Sequence, residues 1–352
     1  LGCLAILGRM VTIRAATTGD EPELRRLELE SPQGQRTRLF TERSAFFYRS
    51  GLFSKAQVLL AVEGSRAVGA MAYAVKEVFV EGKIVPAAYV YDVRSDQGYR
   101  RSMKRGLWQL WQALHSAAQA EGAHFIYGHV KEDNVHALRV FTKGGAQEVG
   151  GFRVVLIPTR PGHTTISPVA DWRGPVAELE GALGRRDLRP PRLGEIYARG
   201  EALGHLGGVY RVEKRGGLAQ VSVWDASSVQ RHRVLAIPFV YRVLGQAINP
   251  MARILPLPRV PQPGQAVLLW HLFDVMAVGR SGPRLLSQIL VGLLHRARAH
   301  GVDLVGLFTS MGDPLARLPP ILLKKQMVYR TLALALGGAL PRPPLYLDIR
   351  DL

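Results

Sequence analysis

The feature that most limits what this chain can fold into is an arrangement that occurs twice. In the first half, Tyr91-Asp92-Val93 ends an apolar strand and leads through a basic loop into a helix. That helix carries Leu107, Leu110, Trp111 and Leu114 at helical spacing, and it is followed by Gly122 and a strand of buried type over residues 124–130. In the second half, Phe273-Asp274-Val275 leads through Gly279-Arg280-Ser281-Gly282 into a helix over 283–299, then Gly301 and a strand over 302–309. Two copies of strand, anion-suited loop, helix and strand point to duplication. The length of 352 residues suits about two domains. Residues 10–158 form the first unit, 159–175 a turn-rich linker and 176–352 a diverged second unit.

The remaining patterns fill in an α/β order. A strand over 11–15 precedes a helix over 20–30, with Asp20 as N-cap, Pro22 in its first turn and Leu24 and Leu27 on one face. Residues 35–49 read as a second short helix region. Strands over 57–63, 67–80 and 87–94 are joined by the turns Glu63-Gly64-Ser65-Arg66 and Glu81-Gly82-Lys83. A short helix over 134–142 and a strand over 147–158 close the first unit. In the second, 209–213 and 218–224 form a hairpin across Lys214-Arg215-Gly216-Gly217, and Asp225 to Ser228 caps a helix running towards Leu244. Proline-rich loop covers 249–264, a strand 266–278 and a closing strand 345–349. Residues 185–192 read as exposed loop and Lys324-Lys325 as a solvated basic pair. The expected class is a mixed, mostly antiparallel central sheet flanked by helices, present twice.

Composition narrows the function. With 47% hydrophobic residues the chain can bury a large core. Its single cysteine, Cys3, makes no intrachain disulfide, and no Cys/His cluster has zinc spacing, so a cytoplasmic protein without a metal centre is expected. The apolar stretches are too short or interrupted to span a bilayer, and residues 1–10 make a poor signal peptide, so no membrane partner is expected. Met10-Val11-Thr12-Ile13-Arg14 reads as the natural opening of the first strand, with Leu1 to Arg9 an upstream extension from a misassigned start. The net charge of +18 fits an anionic partner such as a CoA pyrophosphate or a nucleic acid, and equally fits solvated surface charge, because the arginines are scattered.

Two segments resemble those of the GNAT acetyltransferase superfamily. Asp92-Val93-Arg94-Ser95, followed by Tyr99-Arg100-Arg101-Ser102-Met103-Lys104-Arg105-Gly106, is similar to its acetyl-CoA-binding segment, where a strand runs into a turn that opens a helix. Asn134-Val135-His136-Ala137 through Phe141, Lys143 and Gly144 is similar to its next segment. The resemblance covers residues 10–158 and is weaker in the second half, which looks like the degenerate partner of tandem members. It implies acetyl-CoA as acyl donor, an amine as acceptor and direct attack in a ternary complex. It also implies cofactor contacts from Val93, Arg94, Ser95, Arg100, Arg101, Ser102, Met103, Lys104, Arg105, Gly106, Asn134 and Phe141. Physical chemistry agrees, since a loop opening a helix offers unpaired N–H groups and a positive dipole end to a pyrophosphate. The chain departs from the family pattern in two places. Met103 and Arg105 stand where glycine and Gly/Ala are expected, and counting from Arg101 instead gives Lys104 and Gly106. Phe141 stands where many members place a proton-donating tyrosine.

A transfer to an amine needs a base or a water relay. Asp92, Tyr91 and Glu77 are the candidates, on strands beside the expected cleft; His129, near the end of the strand after the cleft, could relay a proton, but reads in preference as an exposed strand-edge histidine. Trp108 and Trp111 read as core, and Gly279 to Gly282 as a simple turn in preference to an anion site. Two other readings remain open: a CoA-binding scaffold without turnover, and a basic nucleic-acid-associated protein.

Overall fold

The computed structural model describes residues 11–31, 38–96, 98, 100–163, 166–169, 177–184, 186–252, 255, 257, 259–311 and 325–351. The first half runs β1 (Val11–Ala15), α1 (Glu21–Glu30), β2 (Arg38–Arg43), β3 (Ala56–Glu63), β4 (Arg66–Val80), β5 (Lys83–Ser95), α2 (Arg100–Ala120), β6 (Phe125–Lys131), α3 (Val135–Lys143) and β7 (Gln147–Pro158). The second runs α4 (Ala177–Leu183), α5 (Leu193–Ala202), β8 (Leu206–Lys214), β9 (Gly217–Asp225), β10 (Gln230–Ala236), α6 (Phe239–Met251), β11 (Ala266–Val267), β12 (Leu269–Gly279), α7 (Gly282–Ala299), β13 (Leu304–Ser310) and β14 (Lys325–Ala335).

The two halves share one mixed, mostly antiparallel sheet in the order β1-β3-β4-β5-β6-β14-β7-β13-β12-β9-β8. Most neighbours pair antiparallel, three of them as consecutive hairpins, β3 with β4, β4 with β5 and β8 with β9. The exceptions are β5 with β6 and β12 with β13, which pair in parallel because each is joined by a helix, α2 or α7. The strand β14 binds the halves covalently and by ladder. It belongs to the second unit in sequence yet lies antiparallel between β6 and β7 of the first. Leu110, Leu114 and Trp111 of α2 bury one face of the first half-sheet with Val90 and Ile126, and Leu286, Ile289, Leu290 and Leu293 of α7 bury the corresponding face of the second. Each large side chain so buried contributes about 1.5–3 kcal/mol.

Several expectations are corrected. Residues 38–43 are strand β2, followed by 3-10 turns at Phe46–Tyr48 and Ser50–Leu52, where a helix over 35–49 is expected. Long-range pairing overrides local preference: Thr41 and its neighbours ladder onto β10, which itself replaces most of the helix expected after Asp225. Asp225 instead caps a turn through Ser227 N–H at 2.9 Å, and the helix begins only after Pro238. Residues 345–348 are extended and lead into a 3-10 turn at Ile349–Asp351, and the two together form a strap across the sheet. Leu345 makes an isolated bridge to Asp187, the Tyr346 N–H donates to the Asp187 carbonyl at 2.8 Å, and the Leu345 N–H donates to Ser310 Oγ. Strand β14 has no counterpart in the sequence reading; Lys325 is its exposed first residue, and Lys324 lies outside the described residues, as does the proposed extension 1–9. Trp111 is core, whereas Trp108 is half exposed.

Candidate active site

Strands β5 and β6 ladder at only two positions, Ala88 with Ile126 and Tyr89 with Tyr127, and then part. The opening begins beside a bulge in β5, where the register against β4 shifts between Arg94–Ala70 and Tyr91–Ala72. Within the bulge Asp92 takes a left-handed φ of 47°, a conformation aspartate tolerates better than most residues with a Cβ. The second half repeats the device. Asp274 has φ 49°, the β12–β9 register shifts between Phe273 and Met276, and β12 parts from β13 after Leu272 and Leu307.

The first wedge is walled on its two sides by different chemistry. On the α2 side, Phe141 from α3 is buried and meets Trp111 edge-on at 5.3 Å between ring centroids. Its ring lies so close to β6 that a Cβ on Gly128 would fall 3.1 Å from Phe141 Cε1 and 3.2 Å from the Val90 carbonyl. Glycine at 128 therefore lets Phe141 sit where the strands divide. Asn134 is the N-cap of α3, its Oδ1 accepting from Ala137 N–H at 3.2 Å.

On the other face, period-two alternation aligns Tyr89 and Tyr91 on β5 with Tyr127 and His129 on β6. The chain's C-terminal strap crosses them. Lys76 Nζ bonds Asp348 at 2.9 Å and Asp351 at 2.6 Å; Tyr127 Oη donates to Asp351 Oδ2 at 3.0 Å; Tyr89 Oη and Arg49 both donate to the Asp351 carbonyl. His129 is no exposed edge residue: its strand is central, and its side chain is 5% exposed. Its Nδ1 lies 3.0 Å from Thr331 Oγ1 on β14, and its Nε2 is buried without a hydrogen-bond partner among the described residues, 3.7 Å from Asp351 Oδ2. Burial lowers the His129 pKa, only partly opposed by Asp351, so the ring is neutral near pH 7. Burial raises the Tyr89 and Tyr127 hydroxyls, Asp351 adding to the shift at Tyr127, and both stay protonated.

The candidates named from sequence divide. Asp92 is 3% exposed and held in a bidentate pair with Arg43 at 2.6 and 2.7 Å, with Arg49 at 3.5 Å and Arg94 at 3.7 Å. Burial pushes its pKa up, but Arg43 first and then Arg49 and Arg94 outweigh that and hold the carboxyl well below its usual range. Such a carboxylate is a weak base. Tyr91 Oη donates to Ser50 Oγ at 2.9 Å, its ring stacks on Tyr89, and burial pushes it up to about 12. Glu77 is exposed and pairs opposite Pro86, at the end of β5 away from the wedge.

Of the cofactor candidates, Val93, Arg94 and Ser95 lie on β5 beyond the last ladder pair with β6. Arg94 turns to Glu28 at 3.2 Å, and Ser31 Oγ donates to the Ser95 carbonyl at 3.0 Å. Asp96 anchors the following loop: Arg66 and Arg26 bond it, and it accepts the Gly98 N–H at 2.8 Å. Helix α2 begins at Arg100, so Arg100, Arg101, Ser102, Met103, Lys104 and Arg105 occupy its first turns; their side chains lie outside the described residues. Gly106 is buried, facing Val11 and Ala61.

In the second wedge the loop before α7 is closed by the β8–β9 turn, Ser281 N–H donating to the Gly216 carbonyl at 3.3 Å. A cavity of about 50 Å³ remains between Phe273, Asp274, Phe308, Thr309 and the strap residues Leu345 and Tyr346. Asp274 has tyrosines where Asp92 has arginines, Tyr197 and Tyr346 each donating at 2.7 Å. Burial therefore prevails and pushes its carboxyl up to about 6.

Sequence reasoning missed Lys76, Tyr127, Thr331, Asp348 and Asp351. The alternation of Tyr89 with Tyr91 and of Tyr127 with His129 was readable; the strap residues carry no periodic signal.

Comparison with known proteins shows what this chain is similar to. Residues 12–133 match the profile of the acetyltransferase (GNAT) domain. No curated protein is significantly similar in sequence. Among solved structures, Saccharomyces cerevisiae N-myristoyltransferase with bound myristoyl-CoA is similar over 99% of this chain and 84% of its own, at 10% identity and a TM-score of 0.58. A tandem GNAT protein from the clavulanic acid biosynthesis pathway is similar over 94% of this chain and 100% of its own, at 14% identity and a TM-score of 0.52. At these identities the likeness is one of fold.

Proposed function

We propose that this chain, whose residues 12–133 match the acetyltransferase (GNAT) domain, is an acyltransferase that moves an acyl group from acyl-CoA to an amine. The observation that carries the reading is the wedge between β5 and β6, opening below the start of α2 within the matched residues. Its parted strands leave β5 backbone beyond Tyr89 available to a pantetheine arm, and the helix start offers N–H groups to a pyrophosphate. Acetyl-CoA is the donor we favour. Residues 10–158 act as the catalytic unit, with residues 159–175 as linker and 176–352 as a degenerate partner that lends β14 and the strap.

In this reading His129 is the base. In the tautomer that carries its proton on Nδ1, facing Thr331 Oγ1, the Nε2 lone pair, 3.7 Å from Asp351 Oδ2, takes the proton of the attacking amine. The amine nitrogen bonds to the thioester carbonyl carbon, the carbon–sulfur bond breaks, and an amide and a CoA thiolate result. Phe141 has no proton to give, so the thiolate takes its proton from solvent, to which His129 returns the proton it accepted from the amine. Asp92 is assigned to position the bulge, and Tyr91 to pack against Arg49, whose guanidinium lies 4.9 Å from its ring centre. Incubating the purified chain with acetyl-CoA and a panel of small amines, amino acids and peptides, and following free thiol, tests this. Amine-dependent release of CoA is expected; its absence across acyl lengths and acceptors would favour a CoA-binding scaffold.

A further inference from the structure

Helix α6 is built with its apolar side outward. Its small residues Gly245, Asn249 and Ala252 recur at i, i+4 and i+7 and form the stripe by which it docks. Asn249 exchanges two 2.9 Å hydrogen bonds with Val260, and a Cβ on Gly245 would collide with Gln262 Nε2. The opposite side carries Val240, Val243, Leu244, Ala247 and Met251, all exposed. Phe239, at the first turn, is 74% exposed and Val240 71%. A helix held by a narrow stripe of small residues, with its widest apolar face in water, is unfavourable unless something covers that face.

Charge identifies the cover. From Ala226 to Phe273 the chain has five arginines and neither aspartate nor glutamate. Arg242 flanks the apolar face, and Arg38, opposite Ala236 at the helix entrance, and Arg259 are exposed beside it. A second copy of this chain is a poor occupant, since a two-fold contact would set the exposed Arg38, Arg242 and Arg259 of this face against their own copies, while the nearby acids Glu42 and Asp303 already face Arg233 and Arg259. Apolar side chains rimmed by arginine match a membrane surface, where the former enter the acyl boundary and the latter meet lipid phosphates. We infer that α6 lies in the interface of anionic membranes. Among the described residues no helix is long and apolar enough to cross a bilayer, so this is attachment by an in-plane helix. It departs from the sequence-based expectation of no membrane partner.

Flotation of the whole chain with vesicles of phosphatidylcholine, alone or mixed with phosphatidylglycerol, tests the inference. Binding to the mixed vesicles is expected to exceed binding to neutral ones by at least about tenfold, at roughly fivefold per arginine engaged. The double variant V240E/L244E alters exposed positions, so its thermal unfolding should match the parent while its binding to mixed vesicles falls at least about tenfold. The inference is overturned if the parent binds neither vesicle, binds both alike, or binds mixed vesicles undiminished by V240E/L244E. It is equally overturned if sedimentation shows a parent dimer that V240E/L244E abolishes while neither protein binds lipid.

Discussion

Replacing Asp92 by asparagine removes one charge from the most heavily buried ion cluster in the first unit and changes little else. Asparagine tolerates the left-handed φ of 47° nearly as well as aspartate, so the bulge keeps its backbone. Three guanidinium groups, of Arg43, Arg49 and Arg94, then face the carboxylate of Glu28 without Asp92; Glu28 lies 2.9 Å from Arg43 and 3.2 Å from Arg94. Breaking a buried pair by deleting one partner costs about 3–5 kcal/mol. At about 2–4 °C per kcal/mol for a domain of this size, D92N should lower Tm by roughly 6–20 °C at pH 7. Asp92→Ala should lose about 1 kcal/mol more, because alanine also resists the left-handed backbone. The folded pKa of Asp92 lies below its unfolded value, so its stabilisation is fully present above the unfolded pKa and is lost as pH falls through the folded one. The gap between parent and D92N should thus hold from pH 8 to 5 and close only in strong acid. Differential scanning calorimetry across this range is the assay. A D92N Tm within about 2 °C of the parent at pH 7 would refute the view that this carboxylate organises the wedge.

Asp274→Asn tests the opposite environment at the matching bulge. Two tyrosine hydroxyls suit an amide as well as a carboxylate, and the aspartate's raised pKa near 6 means its ionised form opposes folding as pH rises through that value. D274N should therefore cost less than about 1.5 kcal/mol at pH 8, measured by urea unfolding, and a loss as large as that of D92N would contradict the contrast. His129→Gln should lower kcat by roughly 10²–10⁴-fold with acyl-CoA affinity nearly unchanged, and should abolish an acid limb of kcat that lies below the ordinary histidine pKa of about 6.5; an unchanged pH–rate profile would remove His129 as base. The double variant R100A/R101A should weaken acetyl-CoA binding by at least about tenfold in calorimetry, from the loss of charge-assisted contacts; equal affinity would move the pyrophosphate elsewhere. Burial drops the pKa of His232 to about 4 and of His271 to about 3, with Arg43 aiding the former and His232 the latter. Each takes up a proton on unfolding below its unfolded pKa, so stability should fall by about 1.4 kcal/mol per pH unit per histidine between pH 6 and 4, and His271→Gln should flatten that slope.

Much of the fold was readable because local pattern and tertiary fate agree. The 3.6 period of Leu107, Leu110, Trp111 and Leu114 survives as the buried face of α2, and residues 147–158 read as a strand and form β7. Arg38–Arg43 was misread because its residues form helices and strands about equally well, and its partner β10 lies some 190 positions away. Strand β14 was missed for a related reason: only its insertion between β6 and β7 makes a strand of a segment without strong alternation. At the site, Asp92 stood out by position, but its role depends on Arg43 and Arg49, which the chain delivers from distant turns. The strap aspartates Asp348 and Asp351 gave no sequence signal, since their meaning comes from Lys76, some 270 positions earlier.

The central claim is that the wedge between β5 and β6 receives an acyl-CoA. Isothermal titration of the whole chain with acetyl-CoA, and with longer acyl-CoA thioesters, tests it most directly. Saturable binding at one site per chain, lost in R100A/R101A, is the predicted result. No detectable heat with any acyl-CoA, from protein shown to be folded by its thermal unfolding, would contradict it.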